Sequence, residues 1–237
     1  MTSLSVNLNR IALLRNSRNI GIPSVIASAR TVLAAGAYGI TIHPRPDLRH
    51  IRPNDVDDLA QLLTNEFSSA EYNIEGNPFQ PPFMETVCRV QPTQCTLVPD
   101  SPDALTSNCG WNLVEEGERL IGIIQQLKEH QIRVSLFMDA VPHQMALAKK
   151  IGADIELYTE PYATEFREGR VETVFNDYVQ AAEAAQFEGL GVNAGHDLNL
   201  ENLSKFCLIP NILEVSIGHA LIAEALEMGF PTQSKLI

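Results

Sequence analysis

The chain has 237 residues, of which 45% are hydrophobic, and its 14 glycines and 14 prolines are spread along its length. This composition is typical of a globular protein with a large core and excludes a disordered chain. The formal net charge of −12 excludes general nucleic-acid binding, because phosphate backbones are held by clustered Lys and Arg.

Short β-rich runs alternate with helical stretches from one end of the chain to the other. The predicted strands lie at residues 4–9, 39–44, 71–76, 94–99, 132–139, 153–159, 189–195 and 212–219. Helices are predicted to begin near Ser24, Pro53, Val141 and Gly218, and to cover 112–130 and 171–187. This alternation indicates parallel βαβ units. Eight units in this length favour an α/β fold, a single (β/α)8 TIM barrel with extra helices, as one catalytic domain over residues 1–237.

Membrane and disulfide chemistry are not expected. The start of the sequence, MTSLSVNLNR, lacks the apolar region of a signal peptide, and no apolar run reaches the roughly 18 residues of a membrane span. We therefore expect a cytoplasmic protein that does not bind membranes. Its four cysteines show no CxxC pairing, so no disulfide framework is expected. A catalytic thiol stays open as an alternative.

Polar residues of unusual type fall where the predicted strands end, which is where such barrels carry their chemistry. His43, Glu75 and His196 end the second, third and seventh strands, and His219 follows the eighth. A lone histidine at a strand end is more often structural than catalytic. Three on one rim, joined by Glu75, favour general acid–base catalysis, because the imidazole pKa is about 6.5.

Two other chemistries have weaker support. His and Glu bind zinc, but no HxH or HExxH spacing places two ligands together, so we predict no metal. A Ser-His-Asp triad needs a placed nucleophile, and Ser216 has no partner that the sequence identifies. No Lys falls on a strand end, which argues against a Schiff base formed by the enzyme.

Basic and glycine-containing segments on the same rim predict anion binding. Arg45, Arg49 and His50 crowd the loop after the second strand, and Arg18 lies in the first loop. Arg binds phosphate through paired N–H groups, although a solvated charged loop is the plain alternative. Gly218 opens a helix whose free N–H groups suit a second anion. Two anion sites predict two phosphorylated substrates or one bisphosphate.

Five segments of the chain resemble the pyridoxine 5′-phosphate synthase family in order and spacing. They are VNLNRIALLRNSR, GITIHPRPDLRHI, YNIEG, GVNAGHDL and SIGHALI, which extend from residue 6 to residue 222. The His-x-Arg-x-Asp-x-Arg-His-Ile pattern at 43–51 is far more specific than a lone glycine-rich loop. The resemblance implies a barrel that condenses 3-amino-2-oxopropyl phosphate with 1-deoxy-D-xylulose 5-phosphate. Pyridoxine 5′-phosphate, inorganic phosphate and water are released, no cofactor is used, and the family forms homo-octamers.

The resemblance also implies roles for residues at matching positions. His43 and Glu75 match the family's general bases, and His196 matches its general acid. The pentulose phosphate would be contacted by Arg45, His50 and Thr106. The amino-oxopropyl phosphate would be contacted by Asn7, Arg18, Gly218 and His219.

The chain departs from the family pattern at two places. The family commonly reads Asn-x-Asp-His where this chain has Asn7-Leu8-Asn9-Arg10. Asn9 and Arg10 stay predicted substrate contacts, because Asn can donate and accept and Arg can hold an anion. Asp197 replaces the usual glycine after the acid histidine, and its backbone N–H contact survives.

Two alternative functions stay open at this point. One is another phosphate-binding TIM-barrel isomerase or lyase. The other is a non-catalytic barrel that only binds a phosphorylated ligand, against which the joint presence of His43, Glu75 and His196 argues.

Overall fold

A computed structural model describes residues 1–18 and 20–233, with side chains described up to residue 229. Its strands are parallel and close into one barrel in chain order. The strands are β1 Ser3–Asn7, β2 Gly39–Ile42, β3 Glu71–Gly76, β4 Gln94–Leu97, β5 Arg133–Met138, β6 Asp154–Tyr158, β7 Val192–Gly195 and β8 Glu214–Ile217. Pairing of β1 with β8 closes the sheet on itself.

Helices surround the barrel, and β1 and β6 are each followed by two of them. They are α1 Asn9–Asn16, α2 Val25–Ala34, α3 Pro53–Glu66, α4 Phe83–Val90, α5 Leu113–Glu129, α6 Met145–Ile151, α7 Glu160–Arg167, α8 Val171–Phe187, α9 Leu203–Phe206 and α10 His219–Gln233, with a 3-10 helix at Pro142–Gln144. Local sequence explains several boundaries. The Ser24 side chain caps α2 by accepting from the Ala27 N–H, and Pro53 occupies the first turn of α3.

The main hydrophobic core lies between the sheet and the helices. Ile40 and Ile42 of β2, and Ile155 and Leu157 of β6, are fully buried members of it. Strand side chains alternate between the two faces of a sheet. The residues between these apolar positions therefore point toward the barrel axis.

The inside of the barrel is lined largely by polar side chains. Hydroxyl and amide groups bridge neighbouring strands, from Ser5 to Thr41 at 2.7 Å, from Asn73 to Thr41 at 3.4 Å, and from Thr96 to Asn73 at 3.2 Å. Thr96 also donates to Glu156 at 3.3 Å. TIM barrels are more often filled by branched apolar residues. Here the polar side chains are hydrogen bonded to one another, and this offsets the free-energy cost of burying polar groups.

The structure confirms the TIM barrel and all eight predicted strands, with changes at their ends. Asn9 begins α1 rather than ending β1, because its backbone N–H donates to the Asn7 side chain at 3.0 Å and turns the chain. His43 lies one residue beyond β2, and β7 begins at Val192 rather than at residue 189. The single domain predicted over 1–237 stays a prediction, and residues 19 and 234–237 lie outside the described residues.

No helix in the described part of the chain is both long and apolar enough to cross a membrane.

Candidate active site

A cleft of about 850 Å³, counting its open mouth, lies at the C-terminal ends of the strands. Every predicted site residue except Arg18 lines it, namely Asn7, Asn9, Arg10, His43, Arg45, His50, Glu75, Thr106, His196, Asp197, Gly218 and His219. Arg18 is exposed just beyond α1, where its backbone N–H bonds the Arg15 carbonyl at 3.3 Å. Its phosphate contact stays a prediction.

His43 and Glu75 face each other across neighbouring strands, with 3.8 Å between His43 Nδ1 and Glu75 Oε2. Burial lowers the pKa of His43 well below its usual value, and the charge of Arg45 adds to this. Burial raises the pKa of Glu75 well above its usual value, and the charge of Glu156 adds to this. Burial therefore favours the uncharged imidazole of His43 and the protonated carboxyl of Glu75. In these forms the imidazole can accept a proton and the carboxyl can donate one.

Glu156 of β6 completes the group of ionisable side chains in the cleft. Its Oε2 accepts from Thr96 at 3.3 Å, and a Cβ at position 195 would lie only 2.3 Å from its Oε1. Gly195 therefore leaves the space that the carboxylate occupies. Burial raises the pKa of Glu156 to about 7. One sequence signal could have found this residue, because a charged residue inside an otherwise buried strand requires a special environment.

His196 contacts Thr106 on one side and Asp197 on the other. Its Nε2 lies 2.8 Å from Thr106 Oγ1, and its Nδ1 lies 3.4 Å from Asp197 Oδ2. The hydrogen-bonding and charge interaction with His196 lowers the pKa of Asp197. The carboxylate therefore stays charged beside the ring.

The backbone that carries His196 is held in an uncommon conformation. His196 has φ of 93° and Asp197 has φ of 59°, a left-handed region that side-chain-bearing residues rarely adopt. The Thr159 hydroxyl donates to the His196 carbonyl, and Asn202 Nδ2 donates to the Asp197 carbonyl at 3.1 Å. These contacts from flanking segments fix the direction of the imidazole.

Arg45 is buried, which excludes the solvated charged loop as a description of this residue. Its Nη2 lies 2.5 Å from Asp100 Oδ2, and its Nη1 donates to the Ala104 carbonyl at 3.1 Å. Arg49 donates to the carbonyls of Ala104 and Leu105 at 3.0 and 3.1 Å. The two arginines thus tie the loop after β4 to the loop after β2. Any anion at Arg45 competes with Asp100.

His50 stands beside these arginines as an uncharged donor. Burial lowers its pKa to about 4, with the charges of Arg45 and Arg49 adding to this. Its Nδ1 accepts from the Ile51 N–H at 3.0 Å, so the proton resides on Nε2. That N–H is available to donate to an oxygen in the cleft.

Gly218 and the start of α10 form another part of the cleft wall. A Cβ at position 218 would lie 3.0 Å from Asn7 Cβ, so a side chain there would press on β1. The first N–H groups of a helix lack partners within the helix and attract anions. The wall formed by Asn7, Gly218 and His219 is therefore suited to a phosphate.

The two departures from the family pattern take different positions. Asn9 Oδ1 accepts from the His43 backbone N–H at 2.9 Å, so Asn9 helps to hold His43 in place. Arg10 is half-buried and lines the cleft. Within residues 1–18 and 20–233, no three or more His, Cys, Asp or Glu side chains gather as a metal-binding group.

The closed barrel and its cleft define the chain as a TIM barrel with ionisable side chains gathered at the C-terminal ends of its strands. A sequence model described as "Pyridoxal phosphate biosynthesis protein PdxJ" matches residues 4–235. The chain belongs to this family.

Relatives of known name agree with this assignment. The pyridoxine 5'-phosphate synthase of Albidiferax ferrireducens is 51% identical over 236 residues, which cover 97% of this chain and 93% of that protein. The protein of the same name from Flavobacterium johnsoniae is 49% identical over 231 residues, covering 97% and 94%. A solved HpcH/HpaI aldolase from Desulfitobacterium hafniense matches 100% of this chain and 93% of its own with a TM-score of 0.61. At 10% identity it shares the fold alone.

Proposed function

We propose that this chain is a pyridoxine 5′-phosphate synthase. It condenses 3-amino-2-oxopropyl phosphate with 1-deoxy-D-xylulose 5-phosphate, and releases pyridoxine 5′-phosphate, inorganic phosphate and water. The observation that carries the proposal is the convergence of four groups, His43, Glu75, Glu156 and His196, in one cleft that is also lined by arginines and by the start of α10.

The protonation states of these groups suit the chemistry. Attack of the amine on the ketone forms an imine and expels water, which requires a proton at the departing oxygen. Ring closure then needs protons removed from carbon and delivered to oxygen. His43 and Glu75 are the proposed general bases that remove these protons. Glu156, with its pKa of about 7, exchanges a proton near neutral pH at little cost.

His196 is the proposed general acid at a leaving oxygen. Asp197 lies 3.4 Å from its Nδ1 and stabilises the positive charge that the protonated imidazole carries. Thr106, at 2.8 Å from Nε2, marks the side of the ring from which a proton leaves. A substrate oxygen that takes the place of the Thr106 hydroxyl would receive that proton.

Two phosphates are proposed to bind at separate places in the cleft. The pentulose phosphate is assigned to Arg45, His50, Thr106, Asn9 and Arg10. The amino-oxopropyl phosphate is assigned to Asn7, Gly218, His219, the backbone at Asp197, and Arg18. A dianion that replaces Asp100 as the partner of Arg45 would also change the loop that Arg45 holds.

The remaining features follow from the family resemblance and the chemistry. We propose that no cofactor or metal is needed, because the amine that forms the imine belongs to a substrate. None of the lysines in the described part of the chain lines the cleft. A homo-octamer in the cytoplasm is proposed from the family resemblance.

The test is turnover of the purified chain with both substrates, followed by phosphate release and by chromatography of the product. We expect product only when both substrates are present, and no loss of rate with a chelator. His43→Ala should lower kcat about 100- to 10,000-fold, the usual contribution of a general acid or base. His143→Ala, in the exposed 3-10 helix, is the matched control and should keep normal turnover.

A chain that binds both phosphates by calorimetry but forms no product would be a non-catalytic barrel. Equal turnover in the wild type and His43→Ala would remove His43 from the mechanism.

A further inference from the structure

A small apolar patch interrupts the polar interior of the barrel. Val98, Phe137 and Tyr158 are buried and form a cluster separate from the main core. They stand at the C-terminal ends of β4, β5 and β6, on the face that carries Thr96 and Glu156 deeper in the barrel. Their apolar character therefore contrasts with the positions directly beneath them.

The patch forms part of the cleft wall. Val98 and Phe137 line the cleft, and the Tyr158 ring supports Phe137 with 5.2 Å between ring centroids. The imidazole of His196 meets Tyr158 edge-on at 5.2 Å and lies 6.3 Å from the Phe137 ring. The Val98 backbone N–H is fixed to the Gly76 carbonyl at 3.0 Å. A group against this patch is therefore next to the proposed general acid.

The order of the strands places the patch on one side of the cleft. In the closed barrel, β4, β5 and β6 lie across the axis from β8 and β1, which lead to Gly218 and Asn7. Thr106 belongs to the loop after β4 and is hydrogen bonded to His196. The patch therefore lies beside His196, whose other partner Thr106 is assigned to the pentulose, and across the axis from Gly218 and Asn7, which are assigned to the amino-oxopropyl phosphate.

We propose that Val98 and Phe137 bind the C1 methyl group of the pentulose and make the enzyme selective for the 1-deoxy sugar. This inference rests on the proposed function, because it concerns one substrate of that reaction. D-xylulose 5-phosphate has the same phosphate and ketone and differs by a hydroxyl at C1. Anion-binding residues cannot distinguish the two sugars, whereas an apolar surface can.

The size of the selectivity follows from the loss of hydrogen bonding. A methyl group leaves water favourably when it contacts Val98 and Phe137. A C1 hydroxyl there loses its water and finds no partner on either side chain, which is unfavourable. Apolar pockets reject an added hydroxyl by about 100-fold in kcat/KM. We expect a preference of that order for the 1-deoxy sugar.

The experiment compares kcat/KM for the two sugars by phosphate release, with 3-amino-2-oxopropyl phosphate saturating. Val98→Thr keeps the shape of the side chain and adds a hydroxyl, so the preference should fall at least tenfold, with improved use of D-xylulose 5-phosphate. Val98→Ser is a second hydroxyl variant in case the first folds poorly, as judged by circular dichroism. Val134→Thr is the matched control, because Val134 is equally buried in β5 but belongs to the main core outside the barrel. Its preference should stay that of the wild type.

Equal kcat/KM for both sugars in the wild type would overturn the selectivity. So would an unchanged preference in the hydroxyl variants that retain turnover. In both results the enzyme still makes pyridoxine 5′-phosphate, so the proposed function survives. Absence of product from the 1-deoxy sugar in the wild type would instead reject the proposed function together with this inference.

Discussion

The barrel interior holds buried glutamates at both ends, and the two groups differ in their surroundings. At the C-terminal end, Glu75 and Glu156 line the cleft beside the imidazoles of His43 and His196. At the N-terminal end, Glu71 and Glu214 begin β3 and β8 and are each 2% exposed. The first group can reach a ligand, whereas the second is enclosed by its own strands.

The two glutamates at the N-terminal end differ in their hydrogen-bond partners. Glu71 Oε2 accepts from Arg133 Nη2 at 2.6 Å, and the Gln94 amide lies 3.5 Å from Oε1. Neither carboxylate oxygen of Glu214 meets a donor among the described residues. Burial raises the pKa of Glu214 to about 10, and the neighbouring Glu71 adds to this. Glu214 is therefore protonated at neutral pH.

Burial raises a carboxyl pKa at both ends, so a raised pKa alone does not identify a catalytic residue. Glu75 differs from Glu214 in two respects, because it is open to the cleft and has an imidazole beside it. Glu75 has the uncharged His43 at 3.8 Å and an open cleft in front of it. Glu214 has a second carboxyl, that of Glu71, as its neighbour and is itself buried.

The largest expected effect is on kcat, when Glu is replaced by Gln at the C-terminal end of the barrel and, for comparison, at the N-terminal end. Glu75→Gln should lower kcat about 100- to 10,000-fold, because it removes a proposed acid–base group. Glu214→Gln should change kcat less than about twofold, because the neutral amide resembles the protonated carboxyl already present. Steady-state turnover of both variants, with circular dichroism to check the fold, makes the comparison. Comparable losses of kcat would show that the two ends are not functionally distinct.

A second comparison sharpens the assignment of the cleft wall at Gly218. Gly218→Val should raise KM for 3-amino-2-oxopropyl phosphate at least tenfold, since its Cβ would lie 3.0 Å from Asn7 Cβ and one methyl group's misfit costs about 10- to 200-fold. KM for the pentulose phosphate should change less. Gly122→Val, on the outer helix α5 with nothing within 4 Å of the added Cβ, is the control. Equal rises in both KM values for Gly218→Val would contradict separate phosphate walls.

The smallest effect concerns stability and its pH dependence at the N-terminal end. The Glu214 pKa is about 10 in the folded chain against an ordinary value of 4.5. Its raised pKa therefore favours the folded state below pH 4.5, and this contribution is lost as the pH rises toward 10. Glu214→Gln removes that loss, so its free energy of unfolding at pH 8 should exceed that of the wild type by about 1–3 kcal/mol. The two proteins should be closer at pH 5.

Urea unfolding at both pH values measures this difference. A Glu214→Gln chain that loses stability between pH 5 and pH 8 as steeply as the wild type would show that Glu214 is not the titrating group.

The barrel and the residues on its rim could be predicted from the sequence, because a closed sheet of parallel strands allows few arrangements. Once eight strands alternate with helices, their C-terminal ends must meet at one edge. Residues as distant along the chain as Asn7, His43 and His219 then share a cleft. Side chains that alternate in polarity at every second residue, with β-branched residues among them as in β2, were sufficient to predict the strands.

Contacts made by the loops could not be predicted in the same way. Thr106 meets His196 across 90 positions of sequence, and Arg45 meets Asp100 across 55. Such contacts depend on the path of the loop after β4, which no periodic pattern specifies. Glu156 lies inside β6. The alternation of side chains along a strand predicts two faces but does not show which face points toward the barrel axis, so the position of Glu156 could not be predicted.

The hydrogen-bonded polar interior has a consequence for how the protein responds to temperature. Unfolding exposes both apolar and polar surface, and these change the heat capacity in opposite directions. Exposure of polar surface lowers the heat capacity. This applies to the hydrogen-bonded side chains inside the barrel, which are Ser5, Thr41, Asn73 and Thr96. Relative to a barrel of equal size filled with Val, Ile and Leu, this one should have a smaller heat-capacity change of unfolding. Its stability should therefore vary less between cold and warm conditions.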